Sequence, residues 1–123
     1  MIENIEDFPD NVIALIAKGQ VTKKDYEQVL IPKVEGALKR HDKIRLYYEL
    51  GSQFSGIDPS AAWEDLRVGV GHLTRWERVA VVTDVDWMKH MISAFRFLMP
   101  GQLRVFGTAQ TSEARTWVRS TEG

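Results

Sequence analysis

The sequence predicts an α/β fold with a largely parallel sheet, because four short apolar runs alternate with stretches of helical period. The runs are Val12 to Ala17, Ile44 to Leu50, Val79 to Val82 and Leu103 to Phe106. Strands that alternate with helices of this length form βα units, whose crossover helices pack on the sheet. Ligands of such folds bind beyond the carboxyl ends of the strands. The loops that follow the runs are therefore the first place to look for a site.

Composition indicates one soluble domain, residues 1–123, because a chain of 123 residues has room for a single core. The chain has no cysteine, which excludes disulfides, thiol catalysis and cysteine zinc sites and is compatible with a reducing cytosol. A net charge of −1 argues against general nucleic-acid binding. No signal peptide is evident, and no apolar stretch approaches the roughly 20 residues that span a bilayer. We expect a cytoplasmic domain without stable membrane insertion.

The N-terminal part of the chain predicts an edge strand, a turn and a buried strand. Met1 to Ile5 forms the edge strand, and the Pro and Asp of Phe8 to Asn11 favour a tight turn. The run Val12 to Ala17 is apolar throughout, which is typical of a strand covered on both faces, and Gly19 closes it.

A helix with an interruption is expected next. Thr22 is a suitable N-cap, with Asp25 three residues later in the manner of a capping box. Pro32 lacks a backbone donor and disfavours helical geometry at Ile31. The pattern therefore predicts either a kink or two helical pieces.

The remaining elements follow in the same alternating order. Lys43 to Leu50 is a strand that ends in a flexible loop over Gly51 to Gly56, and Asp58-Pro59 begins the next helix. Asp84-Val85-Asp86 signals another helix start after the third strand. Thr111 or Ser112 caps a final short helix.

Motifs for catalysis are missing from the sequence. His41, His72 and His90 fall on different predicted helices and match no metal-ligand spacing. No nucleophile elbow, dinucleotide-binding glycine pattern or phosphate-binding loop is present. We therefore predict no catalytic residue, no cofactor and no metal site.

The predicted strand ends bring polar residues together as a possible recognition rim. The wider set is Glu49, Ser52, Ser55, Asp58, Ser60, Thr83, Asp84, Asp86 and Thr108. Within it, Ser55, Asp58, Ser60 and Asp84 are the candidate site residues. The simpler interpretation is that these side chains cap helices and form turns.

The helix from Trp87 to Met99 carries more apolar residues than a core-facing stripe usually does. Core packing is favoured for Met91, Ile92 and Phe95, while core and interface are equally favoured for Trp87, Met88, Phe97 and Met99. The candidate apolar surface, for a partner or a ligand, comprises Trp63, Trp87, Met88, Met91, Phe95, Phe97 and Met99.

Several stretches, in order along nearly the whole chain, resemble the bacterial SpoIIAA-like family, which is grouped with STAS and SEC14-type domains. They are 60–66 (SAAWEDL), 78–82 (RVAVV), Trp87, 104–106 (RVF) and 114–117 (ARTW). The resemblance implies a mixed, mostly parallel sheet of four to five strands flanked by about four helices. In STAS antagonists a partner kinase phosphorylates a serine at the start of one helix, and Ser60 is the nearest candidate. The Asp-Ser-Ser-Gly pattern of those antagonists is absent, and Pro59 stands where a small polar residue is usual.

Two functions from different classes remain open, and a third, a small enzyme with Asp58 or Asp84 as general base, is the least favoured. The first is a non-catalytic interaction domain that forms homodimers or binds another protein. The second, suggested by the SEC14 resemblance, is a carrier of a small apolar ligand. That carrier needs a cleft lined by residues such as Trp63, Leu66, Met91 and Phe95.

Overall fold

A computed structural model describes residues 1–57, 75–96 and 101–120. Within these ranges, five strands form one sheet in the order β1-β2-β3-β4-β5. Strand β1 pairs antiparallel with β2, and all other neighbours pair parallel. The strands are β1 Ile2–Asn4, β2 Val12–Val21, β3 Ile44–Ile57, β4 Trp76–Val82 and β5 Gln102–Phe106. The predicted α/β class, the mostly parallel sheet and the edge position of β1 are confirmed.

Three helical segments lie among the described residues. The first contains α1 (Lys23–Asp25), a π-helical turn (Tyr26–Leu30) and α2 (Ile31–Arg40). The other two are α3 (Asp86–Phe95) and a 3₁₀ turn (Thr108–Gln110) that continues into α4 (Thr111–Arg119). The helix predicted to begin at Asp58-Pro59 lies outside the described residues.

Strands β2 and β3 are longer than the sequence predicts, and the expected loop over Gly51 to Gly56 is wrong. Gly19 has φ of +59°, which lets β2 bulge there and continue to Val21 instead of ending. The extension pairs with the continuation of β3, where Gly19 lies opposite Phe54 and Val21 opposite Ile57. The extension of β2 and the extension of β3 are each other's hydrogen-bond partners. The sequence of either segment alone therefore does not indicate the added length.

The first helical segment confirms the capping box, and its interruption is the π-helical turn just before Pro32. The Thr22 N–H donates to the Asp25 carboxylate at 2.8 Å, and the Asp25 N–H donates to the Thr22 hydroxyl at 3.4 Å. At the end of the π-helical turn the Ile31 N–H donates to the Tyr26 carbonyl. Pro32 has no N–H and its ring crowds the preceding turn, so the helix widens there instead of breaking.

The sheet separates two apolar layers. One face packs on the π-helical turn, α2 and α3 through Tyr26, Leu30, Val34 and Met88. The other face packs on α4 through Ala114 and Val118, with Phe8 and Trp117 at its margin. Among the described residues, polar groups lie at the strand ends and around α4.

Candidate functional site

The carboxyl ends of β4 and β5 are joined by polar contacts at one edge of the sheet. The Asp84 carboxylate accepts a hydrogen bond from the Thr108 N–H at 3.1 Å and another from the Thr108 hydroxyl. The buried Thr83 hydroxyl accepts from the Val85 N–H at 3.1 Å. These contacts place Thr83, Asp84 and Thr108 close together at this edge.

Asp84 does not cap α3, although that helix begins at Asp86, where the sequence Asp84-Val85-Asp86 predicts a helix start. Helix α3 has Val85 at its N-cap position, without a side-chain cap. Asp84 instead binds the first residue of the 3₁₀ turn after β5, because the two strand ends lie side by side. Hydrogen bonds from the Thr108 hydroxyl and N–H lower the pKa of Asp84. An ionised carboxylate with a lowered pKa is a weak proton acceptor, which disfavours a role as general base.

The last helix also begins differently from the prediction. Gln110 occupies the N-cap position of α4, without a side-chain cap. The Thr111 hydroxyl donates to the Thr108 carbonyl at 2.8 Å. A 3₁₀ turn precedes the helix, so Thr111 faces a carbonyl and not the free N–H groups that a cap would bind.

Trp87 and Met88 divide between surface and core. The Met88 side chain is 5% exposed and packs in the core, whereas the Trp87 side chain is 55% exposed. Successive helical residues point about 100° apart. The side chain of Met88 therefore faces the core while that of Trp87 faces solvent. Ser55 is exposed on the extension of β3.

The structure does not describe the other candidate site residues to the same extent. Asp58, Ser60, Trp63, Phe97 and Met99 lie outside the described residues. Met91 and Phe95 lie on α3, where only their backbone is described.

The α4 face carries an arginine–aromatic cluster that sequence reasoning missed. We define this cluster as Arg78, Arg104, Phe106 and Trp117. The Arg78 and Arg104 guanidinium carbons lie 5.1 and 5.3 Å from the Trp117 ring centroid, and Arg104 also lies 4.7 Å from the Phe106 ring. The same sequence pattern occurs in three neighbouring strands: an arginine stands two residues before an apolar residue. The pattern lies in residues 45–47, 78–80 and 104–106. Residues two apart share a face of a strand, so this repeat could have revealed the cluster.

Two buried arginines hold the C-terminal end of α4 on the sheet. Arg78 donates to the Trp117 carbonyl at 2.8 Å, and Arg45 donates to the Val118 carbonyl at 3.0 Å and the Ser120 carbonyl at 2.5 Å. The last carbonyls of a helix have no intrahelical donors and carry partial negative charge. The two guanidinium groups supply hydrogen-bond donors and positive charge to these carbonyls. They therefore position α4 on the sheet.

A second polar network connects α4 with β3. The Tyr47 hydroxyl donates to the Glu49 carboxylate at 2.5 Å, and Arg115 donates to both Tyr47 and Glu49 at 3.3 Å. Phe8 stacks on Tyr47 with ring centroids 5.3 Å apart. Burial, together with the hydrogen bond to Glu49, raises the pKa of Tyr47 to about 12. Tyr47 is therefore protonated at neutral pH and acts as a donor.

A cavity of about 390 Å³ opens at the opposite end of β2, between the segment before this strand and α2. Its charged lining residues are Glu6, Asp7, Asp10, Lys33 and Arg40. Arg40 and His41 each approach the Asp10 carboxylate to 2.8 Å. This position and charge differ from the apolar cleft that a SEC14-like carrier needs.

Two searches of the described residues, 1–57, 75–96 and 101–120, bear on metals and membranes. No cluster of three or more His, Cys, Asp or Glu residues there could hold a metal ion. Within the same ranges no helix is long and apolar enough to cross a membrane.

The fold is that of a STAS-type α/β domain. The SpoIIAA-like family model matches residues 12–119, so the chain belongs to the SpoIIAA-like family. A similar solved structure is an uncharacterized protein of the DUF3478 family with a SpoIIAA-like fold, from Shewanella loihica PV-4. It has a TM-score of 0.72 and 25% identity, over 95% of this chain and 93% of that chain. No curated protein matches the sequence.

Proposed function

We propose that residues 1–123 form a single non-catalytic, cytoplasmic interaction domain that acts through protein–protein contacts, first of all as a homodimer. The observation that carries the proposal is the exposure of Trp87, which is 55% accessible in the first turn of α3. Tryptophan dominates the binding energy of many protein interfaces, and it is costly to leave a large indole in water. The surface around Trp87 therefore fits a partner surface.

The chemistry of the same edge supports binding over catalysis. The Asp84 carboxylate is already hydrogen-bonded to Thr108, and the Thr83 hydroxyl is engaged by Val85. A catalytic site needs a group that is free to accept or donate a proton in reach of a substrate. These residues instead hold the edge in one shape, which suits recognition.

The test is analytical ultracentrifugation of the wild-type chain and of Trp87→Ser. We expect the substitution to raise the dimer dissociation constant at least about tenfold, the size of a modest interface hot spot. Arg96→Ser is the matched control, because Arg96 is exposed at the end of the same helix, nine positions further on and on its opposite side.

A wild-type chain that stays monomeric, or a dimer that Trp87→Ser leaves unchanged, contradicts the homodimer. Native mass spectrometry of the same sample addresses the alternative function. A retained adduct of lipid mass would favour the carrier of a small apolar ligand.

A further inference from the structure

Strand β5 ends the sheet, and among the described residues it has a strand neighbour on one side only. The Phe106 carbonyl accepts from the Thr83 N–H, so it points toward β4. Backbone hydrogen-bonding direction alternates along a strand, so Leu103 and Val105 point their N–H and C=O groups outward. These groups form a short template for another strand.

Arg104 lies between these two residues, on the face of α4. Its guanidinium is exposed and rests on the Phe106 and Trp117 rings, which restrict its orientation. Arg45 pairs with Glu77 and Arg115 pairs with Glu49 on the same face. In the described part of the chain Arg104 has no carboxylate partner, so a positive group stands at the open edge.

The other edge of the sheet is protected in the way that sheet edges usually are. Strand β1 has three residues, and an ion pair between Lys18 and Glu3 crosses its pairing with β2 at 2.7 Å. Strand β5 has five residues and is longer than β1, and its charged residue is Arg104. Short strands offer few groups for further pairing, so the longer β5 is the more receptive edge.

A second copy of the chain fits β5 poorly. The antiparallel register that uses Leu103 and Val105 of both copies is centred on Arg104, which places two guanidinium groups opposite each other. Arg104 then occupies a non-hydrogen-bonded pair, where side chains approach most closely, and like charges destabilise such a pair. An acidic side chain at the same place is favourable.

We propose that the outer edge of β5 binds an extended segment of another protein, which adds as an antiparallel strand with an aspartate or glutamate opposite Arg104. Main-chain hydrogen bonds to Leu103 and Val105 would supply affinity, and the carboxylate would set register and specificity. The proposal goes beyond the function assigned to Trp87, because it uses a different element and names the partner chemistry.

The probe is the acetylated and amidated peptide Ser-Thr-Val-Glu-Val-Thr-Ser, which reads the same in either direction. Opposite Arg104, its Glu lies on the α4 face and its two Val side chains lie beside Leu103 and Val105. Titration into the ¹⁵N-labelled full chain is expected to shift the Leu103 and Val105 amides and to slow their exchange with solvent. The matched control peptide has Gln in place of Glu.

We expect Gln in the peptide, or Arg104→Gln in the protein, to weaken binding about fivefold, the upper range of a cross-strand ion pair. Combining the two changes is expected to add little further loss, because both remove one interaction. Trp87→Ser is expected to bind the peptide normally, so failure of the homodimer leaves this proposal standing.

Four outcomes overturn the proposal. They are shifts that map away from β5, equal affinity for the Glu and Gln peptides, no binding at all, and concentration-dependent β5 shifts without peptide. The last outcome would assign the edge to a second copy. If the Arg104→Gln variant aggregates and the wild type does not bind the peptide, the role of Arg104 is only to prevent strand pairing at this edge.

Discussion

At the scale of single residues, Gly101 determines how closely β5 approaches β4. A Cβ atom at this position would overlap the Trp76 carbonyl oxygen and lie 2.8 Å from the Glu77 carbonyl oxygen. Both obstacles are backbone atoms of β4, which cannot rotate away as a side chain can. The glycine is needed here for space.

We therefore expect Gly101→Ala to lower the free energy of unfolding by about 1–3 kcal/mol, the usual cost of forcing extra atoms into a packed site. Urea denaturation measures the change. Gly36→Ala is the control, since its Cβ would meet only Arg40 Nη1 at 3.5 Å within α2. We expect that control to gain about 0.5–1 kcal/mol. Equal effects of the two substitutions would contradict the steric argument.

Residue-scale prediction worked for contacts within a few positions of the chain. Thr22 and Asp25 are three residues apart, and their capping box formed as the sequence predicts. Asp84 and Thr108 are 24 residues apart, and the sequence could place them only at the same edge. Which partner Asp84 binds depends on the spacing of β4 and β5, which no local pattern encodes.

At the scale of elements, α4 depends on two strands for its position. Arg45 and Arg78 come from opposite positions on β3 and β4, and both reach the carbonyls at the end of α4. The helix is short, and isolated helices of this length are marginal in water. Its stability therefore comes from packing and from these guanidinium groups.

Arg78→Met is expected to lower the free energy of unfolding by about 1.5–3 kcal/mol, the range for hydrogen bonds made by charged groups. Hydrogen exchange is expected to accelerate in α4 more than in α2, because the loss is local. Arg104→Met is the matched control, since it removes an exposed guanidinium from the same Trp117 ring and is expected to cost about 0.5–1 kcal/mol. Similar losses for the two variants would show that ring contacts, not the helix carbonyl, hold α4.

At the scale of the whole molecule, the two faces of the sheet differ in chemistry. One face is covered by the first helical segment and α3 through mainly apolar contacts. The other face carries α4, Tyr47 and the surrounding arginine side chains. Ionisation of a group on this second face is therefore expected to affect the stability of the entire fold.

Alkaline unfolding tests this expectation through Tyr47. Its pKa in the folded protein is about 12, against 10.0 for an ordinary tyrosine. A raised folded-state pKa favours the protonated native state below pH 10 and loses that advantage between pH 10 and 12. We expect Tyr47→Phe to lose less stability than the wild type over this interval, as measured by urea denaturation at several pH values. Parallel curves for the two proteins would contradict it.

The fold class, the order of the described elements and the family all follow from the amino-acid pattern. Apolar runs, capping residues and Pro32 act through local sterics and hydrogen bonds, so their effects can be read from a few neighbouring positions. The wide apolar stripe of α3 indicated that some of its side chains exceed the core, but the exposure of Trp87 and the burial of Met88 came from the structure.

Tertiary structure alone decided the lengths of β2 and β3, the partner of Asp84 and the arginine–aromatic cluster. The β2 and β3 extensions exist because each supplies hydrogen bonds to the other across the sheet. The cluster exists because parallel pairing brings Arg78 and Arg104 to one face, under a helix that follows in the chain. Such contacts depend on register and helix placement, which are properties of the assembled sheet and not of any one segment.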